Sequence, residues 1–310
     1  MNSIYGWIGF NLVVLAILAL DLGVLHRKAE KVSLREAAVW SGIWVALSLC
    51  FALAIYLTMG KQSGLEFLTG YLIEYALSVD NIFVFVLIFT YFGVPEKYQH
   101  RVLFWGIIGA LVLRGVMIVA GSALVTRFAW TLYIFGAFLV FTGIRMALQK
   151  DDAAYNPERD PVLRAARKLV PVTKEYHGKK FFVREQRPDG TSHLAATPLF
   201  IVLLIVDTTD IVFATDSIPA IFAVTRDPFI VYTSNICAVL GLRALYFLLA
   251  GIVDKFVYLK LGLSMVLVFI GAKMLLEGVF HIPIGISLGV VALVLASSIV
   301  ASIKWPRTGH

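Results

Sequence analysis

Charge is scarce in this chain. Only 15% of its 310 residues are Asp, Glu, Lys or Arg, against 59% hydrophobic, and the mean hydropathy is +0.85. A soluble domain needs more polar surface than that, so the scarcity excludes an ordinary aqueous globule. Cysteine is scarcer still. Cys50 and Cys237 fall in different apolar segments and match no redox or metal-binding spacing, which leaves them as buried small hydrophobes. The six histidines (His26, His100, His177, His193, His281, His310) lie in loops or at the ends of apolar runs, and neither Cys neighbours an acid. That pattern argues against zinc, copper or haem, and no resident cofactor is expected. Neither a nucleophile–base constellation nor a phosphate-cradling glycine motif is present, so an enzyme is not expected either.

What the chain has instead is length in its apolar runs. About twenty consecutive apolar residues cross a hydrocarbon core roughly 30 Å thick. Such runs recur at 7–25, 39–59, 67–92, 102–125, 130–148, 198–224, 229–253, 256–276 and 283–303. The predicted fold class is therefore an all-α polytopic membrane protein with about nine transmembrane helices. The start of the chain lacks a basic stretch ahead of its first apolar run, so that run reads as a retained span.

Orientation follows from Lys and Arg. Arg27, Lys28, Lys31, Arg35, Lys97, Arg101, Lys255, Lys260, Lys304, Arg307 and the ten in loop 149–197 fall on one side; Lys61, Arg127 and Arg226 fall on the other. This bias predicts a bacterial inner-membrane protein with the N terminus outside and the C terminus cytoplasmic. It also accounts for the net charge of +7 without nucleic acid. Membrane lipids are the expected surroundings.

Against this apolar background five acids stand inside the spans: Glu74, Asp80, Asp207, Asp210 and Asp216. Each costs roughly 2.5–3.5 kcal/mol on insertion scales, so they point to function. Four of them form matching motifs. Glu74, Asp80, Asn81 and Ile82 repeat as Asp210, Asp216, Ser217 and Ile218. Leu111–Arg114 resembles 240–243, and the stretch from Leu139 to Met146 resembles that from Leu267 to Met274, at offsets of 136, 129 and 128 in one constant order. Three helices per copy is an odd number, so the second copy enters the membrane from the opposite side. Inverted repeats of this kind carry substrate near the midplane, where the copies meet. The chain then divides into two N-terminal helices (1–66), a first three-helix repeat (67–148), a cytoplasmic loop (149–197), a second repeat (198–276) and a last helix with its tail (277–310).

On regular helices Glu74, Ser78 and Asn81 form one polar stripe, and Asp207, Asp210, Ala214 and Ser217 form another. Asp80 and Asp216 lie about 100° away from those stripes. A break caused by Pro219 would swing Asp216 towards its stripe. Carboxylates with amide and hydroxyl oxygens make a hard-oxygen site suited to a divalent ion such as Mn, Mg or Ca. The bland reading is that the acids pair with the deep cations Arg114 and Arg243. Five acids exceed two cations, which favours function. Arg145 and Lys273, near span ends, are expected to snorkel.

Asp80-Asn81-Ile-Phe-Val-Phe, the run from Phe213 to Thr225, Thr233-Ser-Asn and the run from Gly241 to Gly251 resemble the TerC family, in particular its Alx-type branch. The likeness extends from 19–28 and 98–106 over essentially the whole chain. It implies a manganese(II) exporter, with metal ligands at Glu74, Asp80, Asn81, Asp210, Asp216 and Ser217 and with Asp207 as a weaker candidate. The sequence departs from the family pattern at two positions. Asp207 stands where Glu is usual, and Thr215 where an aliphatic residue is usual. An exporter of another cation or organic solute, and a membrane scaffold or stress-resistance protein (tellurite, redox, alkaline pH), are the alternatives.

Overall fold

The computed structural model describes residues 4–20, 33–128, 130–148, 171–173, 175–186, 192–250, 258–276, 278–280 and 282–304. It is an all-α polytopic membrane protein. The helices are α1 (Ile4–Leu20), α2 (Leu34–Met59), α3 (Lys61–Tyr91), α4 (Glu96–Arg127), α5 (Thr131–Leu148), α6 (Pro198–Phe222), α7 (Pro228–Leu240), α8 (Leu242–Leu249), α9 (Leu259–Leu276) and α10 (Ile284–Lys304). A hairpin of β1 (Phe182–Gln186) and β2 (Ser192–Ala196) lies between α5 and α6. Among the described residues eight helical segments are long and apolar enough to cross a membrane, with α7 and α8 together making one of them. The shorter α1 covers the described part of the first apolar run; residues 21–25 lie outside the described residues, as do 251–253 and 256–257.

Local chemistry sets the helix ends. Ser33 caps α2 by accepting a hydrogen bond from the Glu36 N–H at 3.2 Å. Gly60 stands between α2 and α3 with φ of +95°, a backbone state that any β-carbon would strain. Asp227 accepts from the Phe229 N–H at 2.9 Å, and Pro228 opens α7 at a position that needs no donor.

Burial separates the helices. The α7–α8 segment is almost wholly enclosed, whereas α2, α5 and α10 present one face to the lipid. Leu12, Val112, Val116, Phe141 and Leu293 are exposed in this way. Large apolar side chains on an outer surface are what a hydrocarbon solvent requires.

Helices α5 and α9 pack most extensively, and their contact is built on glycine. A β-carbon at Gly271 would lie 2.6 Å from the Gly136 carbonyl oxygen and 2.8 Å from the Val140 nitrogen. One at Gly143 would lie 2.8 Å from the Ser264 carbonyl oxygen and 3.0 Å from the Val268 nitrogen. Rising along α5 from Gly136 to Gly143 means descending α9 from Gly271 to Ser264, so the two helices run antiparallel. The contacts are also reciprocal: adding the 128-residue offset to Gly136, Val140 and Gly143 gives Ser264, Val268 and Gly271. Other pairings follow suit. Helix α3 packs on α7 much as α4 packs on α6. Small residues permit this backbone approach between membrane helices.

The expected break at Pro219 does not occur. Helix α6 runs through it to Phe222. Only three residues follow the proline, so the missing donor and the crowded carbonyl affect the last turn alone. The described part of loop 149–197 contains a β-hairpin that hydropathy does not signal. Its hairpin and the strand-like Val172 are tied to the α3–α4 turn, because the Tyr176 hydroxyl donates to the Phe92 carbonyl at 2.8 Å and Arg101 sits 5.1 Å over the Phe181 ring. Burial raises the Tyr176 pKa, which keeps the phenol a donor. Residues 149–170 and 187–191 of the loop lie outside the described residues.

Candidate functional site

Glu74 and Asp210, counterparts in the two copies of the motif, meet at one cation. Arg114, brought in by α4, has no exposed surface, and neither does Glu74; Asp210 is 3% exposed. The guanidinium grips Asp210 bidentately, Nε to Oδ2 at 2.9 Å and a terminal nitrogen to Oδ1 at 2.7 Å. Its other terminal nitrogen donates to Glu74 and, at 3.0 Å, to the Asn235 amide oxygen. Asn235 closes the ring by donating to the second Glu74 oxygen at 2.9 Å. The planar guanidinium fork is suited to holding two acids at once. Two carboxylates thus share one guanidinium inside the bundle.

Thus Arg114 is an ion-pairing partner, and for Glu74 and Asp210 the pairing is shared instead of each acid having its own cation. Arg243, the counterpart of Arg114, is buried and lines a small cavity beside Asp210 with Phe85, Val206 and Val239.

A second group of polar atoms differs from this cluster. Ser78 and Asn81 on α3 and Ser217 on α6 are at most 2% exposed, yet the Ser78 hydroxyl, the Asn81 amide oxygen and the Ser217 hydroxyl have no hydrogen-bond partner. A buried polar atom left unpaired costs about 1–3 kcal/mol. All three lie on the packed pair α3 and α6. The two helices cross here antiparallel, since Gly70 lies against Ile221 near one end and Phe85 lines a cavity with Val206 near the other.

The remaining acids disperse. Asp216, half-buried, faces α5, where Thr142 donates to its Oδ1 at 3.3 Å and the charge of Arg145 acts on it. Because α6 is unbroken, Asp216 stays off the stripe of Asp210 and Ser217. Asp207 points at α4, where Gly106 and Gly109 leave room for it. A β-carbon at Gly109 would be 2.7 Å from its Oδ2, and its buried Oδ1 has no hydrogen-bond partner. Asp80 lies within α3, and its side chain is outside the described residues. Among the described residues no three side chains of His, Cys, Asp or Glu converge. Any ion held there draws on amide and hydroxyl oxygens as well as carboxylates.

Lys273 departs from its expected place. It does not snorkel; it is 6% exposed on α9. Asn235 and Thr142 were not singled out as site residues. For Asn235 a signal existed, three successive polar residues (Thr233, Ser234, Asn235) in an otherwise apolar run. No sequence signal marks Thr142, which acts only through the helix packed against it.

Comparison with known proteins agrees with this architecture. A family model described as "Integral membrane protein TerC family" matches residues 59–308. A membrane protein of Myxococcus xanthus is 53% identical over 297 residues, covering 96% of this chain and 91% of its own. A relative from Photorhabdus laumondii, named putative membrane-bound redox modulator Alx, is 49% identical over 315 residues, 98% of this chain and 97% of its own. The similarly named Escherichia coli K12 protein is 48% identical over 313 residues, covering 98% and 95%. No solved structure matches the chain significantly. The chain belongs to the TerC family of integral membrane proteins.

Proposed function

We propose that this protein exports a divalent cation, manganese(II) in the first instance, across the bacterial inner membrane with its N terminus outside. The observation that carries the reading is the meeting of Glu74 and Asp210 on one buried guanidinium, on the same two helices that hold the unpaired oxygens of Ser78, Asn81 and Ser217. Arg114 fixes Glu74 and Asp210 as the anionic floor. Asp80, Asn81 and Ser217 supply the ligands that exchange, Asp216 joins them only on leaving Thr142 of α5, and Asp207 adds charge from the α4 side. Hard oxygens of this kind suit Mn(II), and manganese is the cargo that the family resemblance implies.

The reciprocal contacts of α5 with α9 support two oppositely inserted repeats. Rocking of one against the other then exposes the site on alternate sides. Because ligands bind metal only when deprotonated, a proton gradient would help release the ion outside.

The test is intracellular manganese in an exporter-deficient strain. The wild-type chain is expected to lower it, and the Asp80→Ala and Asp216→Ala variants to leave it high. An unchanged load with the wild-type chain would move the search to other solutes. In proteoliposomes, manganese flux indifferent to an imposed pH gradient would remove the proton coupling.

A second reading, membrane redox modulation, comes from the name of the relatives. Here the thiols on offer are Cys50, exposed on α2, and Cys237 on α7, both free. If Cys50→Ser with Cys237→Ala abolishes redox-stress resistance at normal manganese load, the thiols carry the function instead of the cation site.

A further inference from the structure

The hairpin of the long loop begins where the bilayer ends. Strand β2 stops at Ala196, and α6 enters the membrane from Pro198. Thr197 between them is tied to the start of the hairpin. Its N–H donates to the Phe181 carbonyl at 2.9 Å and its hydroxyl to the Lys180 carbonyl at 2.8 Å. The Phe182 ring lies 4.4 Å from that of Phe200, in the first turn of α6. Phe181 stands 6.4 Å from the same ring and 6.5 Å from Trp105 of α4. Phe182 and Trp105 are 41% and 43% exposed. Part-exposed aromatic rings gathered near the starts of two apolar runs mark the lipid–water boundary, where such rings settle.

The strand register carries that boundary onto one face of the hairpin. Phe182 pairs with Ala196 and Arg184 with Leu194, and residues two apart along a strand share a face. Leu194 is 59% exposed, and Arg184 beside it is exposed too. Two residues of strand span roughly 6.6 Å, so Leu194 stays about that close to the aromatic boundary however the hairpin tilts. The headgroup layer on each side of the hydrocarbon is about 5–8 Å deep. Lys180, exposed and held by its backbone to Thr197, starts from the same depth. An exposed leucine is costly in water and an arginine is costly in hydrocarbon; the headgroup layer accommodates both.

We infer that the face bearing Phe182, Arg184 and Leu194 is a docking surface for the membrane leaflet on the loop side, resting against the headgroups of anionic phospholipids. Phe182 and Leu194 seat between headgroups, while Arg184 and Lys180 meet phosphate oxygens. On the orientation proposed above that leaflet is the cytoplasmic one, and the inference needs neither manganese nor transport. Tyr176 and Arg101 hold the same loop on the α3–α4 turn and the first turns of α4. The hairpin is therefore fixed to the bundle on one side and to lipid on the other.

Two measurements on the full chain in lipid nanodiscs test it. A fluorescent thiol label is placed on Leu194→Cys in a Cys50→Ser background, with Cys50→Ser alone as the labelling blank. A quencher carried on the lipid headgroup is expected to dim the label strongly, and acrylamide in the water to dim it weakly. Quenching mainly by acrylamide overturns the docking surface. Replacing phosphatidylcholine by phosphatidylglycerol is expected to raise headgroup quenching several-fold, and Lys180→Gln with Arg184→Gln to erase that gain. Equal quenching in the two lipids overturns the recognition of anionic lipid, even where the label is found among headgroups.

Discussion

Two of the contacts between segments 67–148 and 198–276 are built from different materials. Where α5 meets α9 the surfaces are glycine and aliphatic, and backbones touch with nothing between them. Where α3 meets α6 the surfaces are polar. Glu74 and Asp210 are satisfied through Arg114 and Asn235, while Ser78, Asn81 and Ser217 are left unsatisfied. A glycine contact is rigid because it has no side chain that can rearrange. A polar contact with unpaired oxygens has stability in reserve that a ligand can claim. On the proposed reading, the difference separates a scaffold from a binding site within one bundle.

Removing the shared guanidinium should break the comparison most severely. Arg114→Met strands two carboxylates in a dry interior and is expected to cost about 3–5 kcal/mol, read as loss of folded protein in detergent extracts. If Arg114→Met folds normally, the cluster is not structural. The glycine contact comes next. Gly271→Val drives a branched side chain into the Gly136 carbonyl and the Val140 nitrogen, an overpacking worth about 1–3 kcal/mol in the thermal midpoint. Transport and stability should fall together in that variant.

Ser217→Ala sharpens the contrast by separating the two properties. It deletes an unpaired buried oxygen, so stability is expected to hold or rise by about 1 kcal/mol while manganese resistance drops. A loss of both would return Ser217 to the structural side. The smallest effect is at the loop. Tyr176→Phe removes a single hydrogen bond to the Phe92 carbonyl, about 0.5–1.5 kcal/mol, and should appear as faster proteolysis of the 171–197 segment with transport retained.

Much of this was legible in the chain itself. The apolar runs place the helices to within a few residues, because hydrocarbon thickness fixes their length. The matching acids and the Arg114 and Arg243 pair stood out because charge is so rare around them. The hairpin at 182–196 was not legible. It sits outside the lipid, where hydropathy carries no signal, and its order comes from contacts with the α3–α4 turn. The Gly136–Gly271 contact was likewise invisible, since a glycine in a membrane helix looks alike whether or not a partner backbone lies against it.

The sequence by itself determined the solvent, the number of long helices to within one, and which carboxylates are too costly to be accidental. All three follow from transfer energies that each segment carries alone. Only the tertiary structure decided how those carboxylates are used. Whether an acid ends against Arg114, Thr142 or Gly109 depends on which helix packs beside it, and that choice rests on shape complementarity between distant segments.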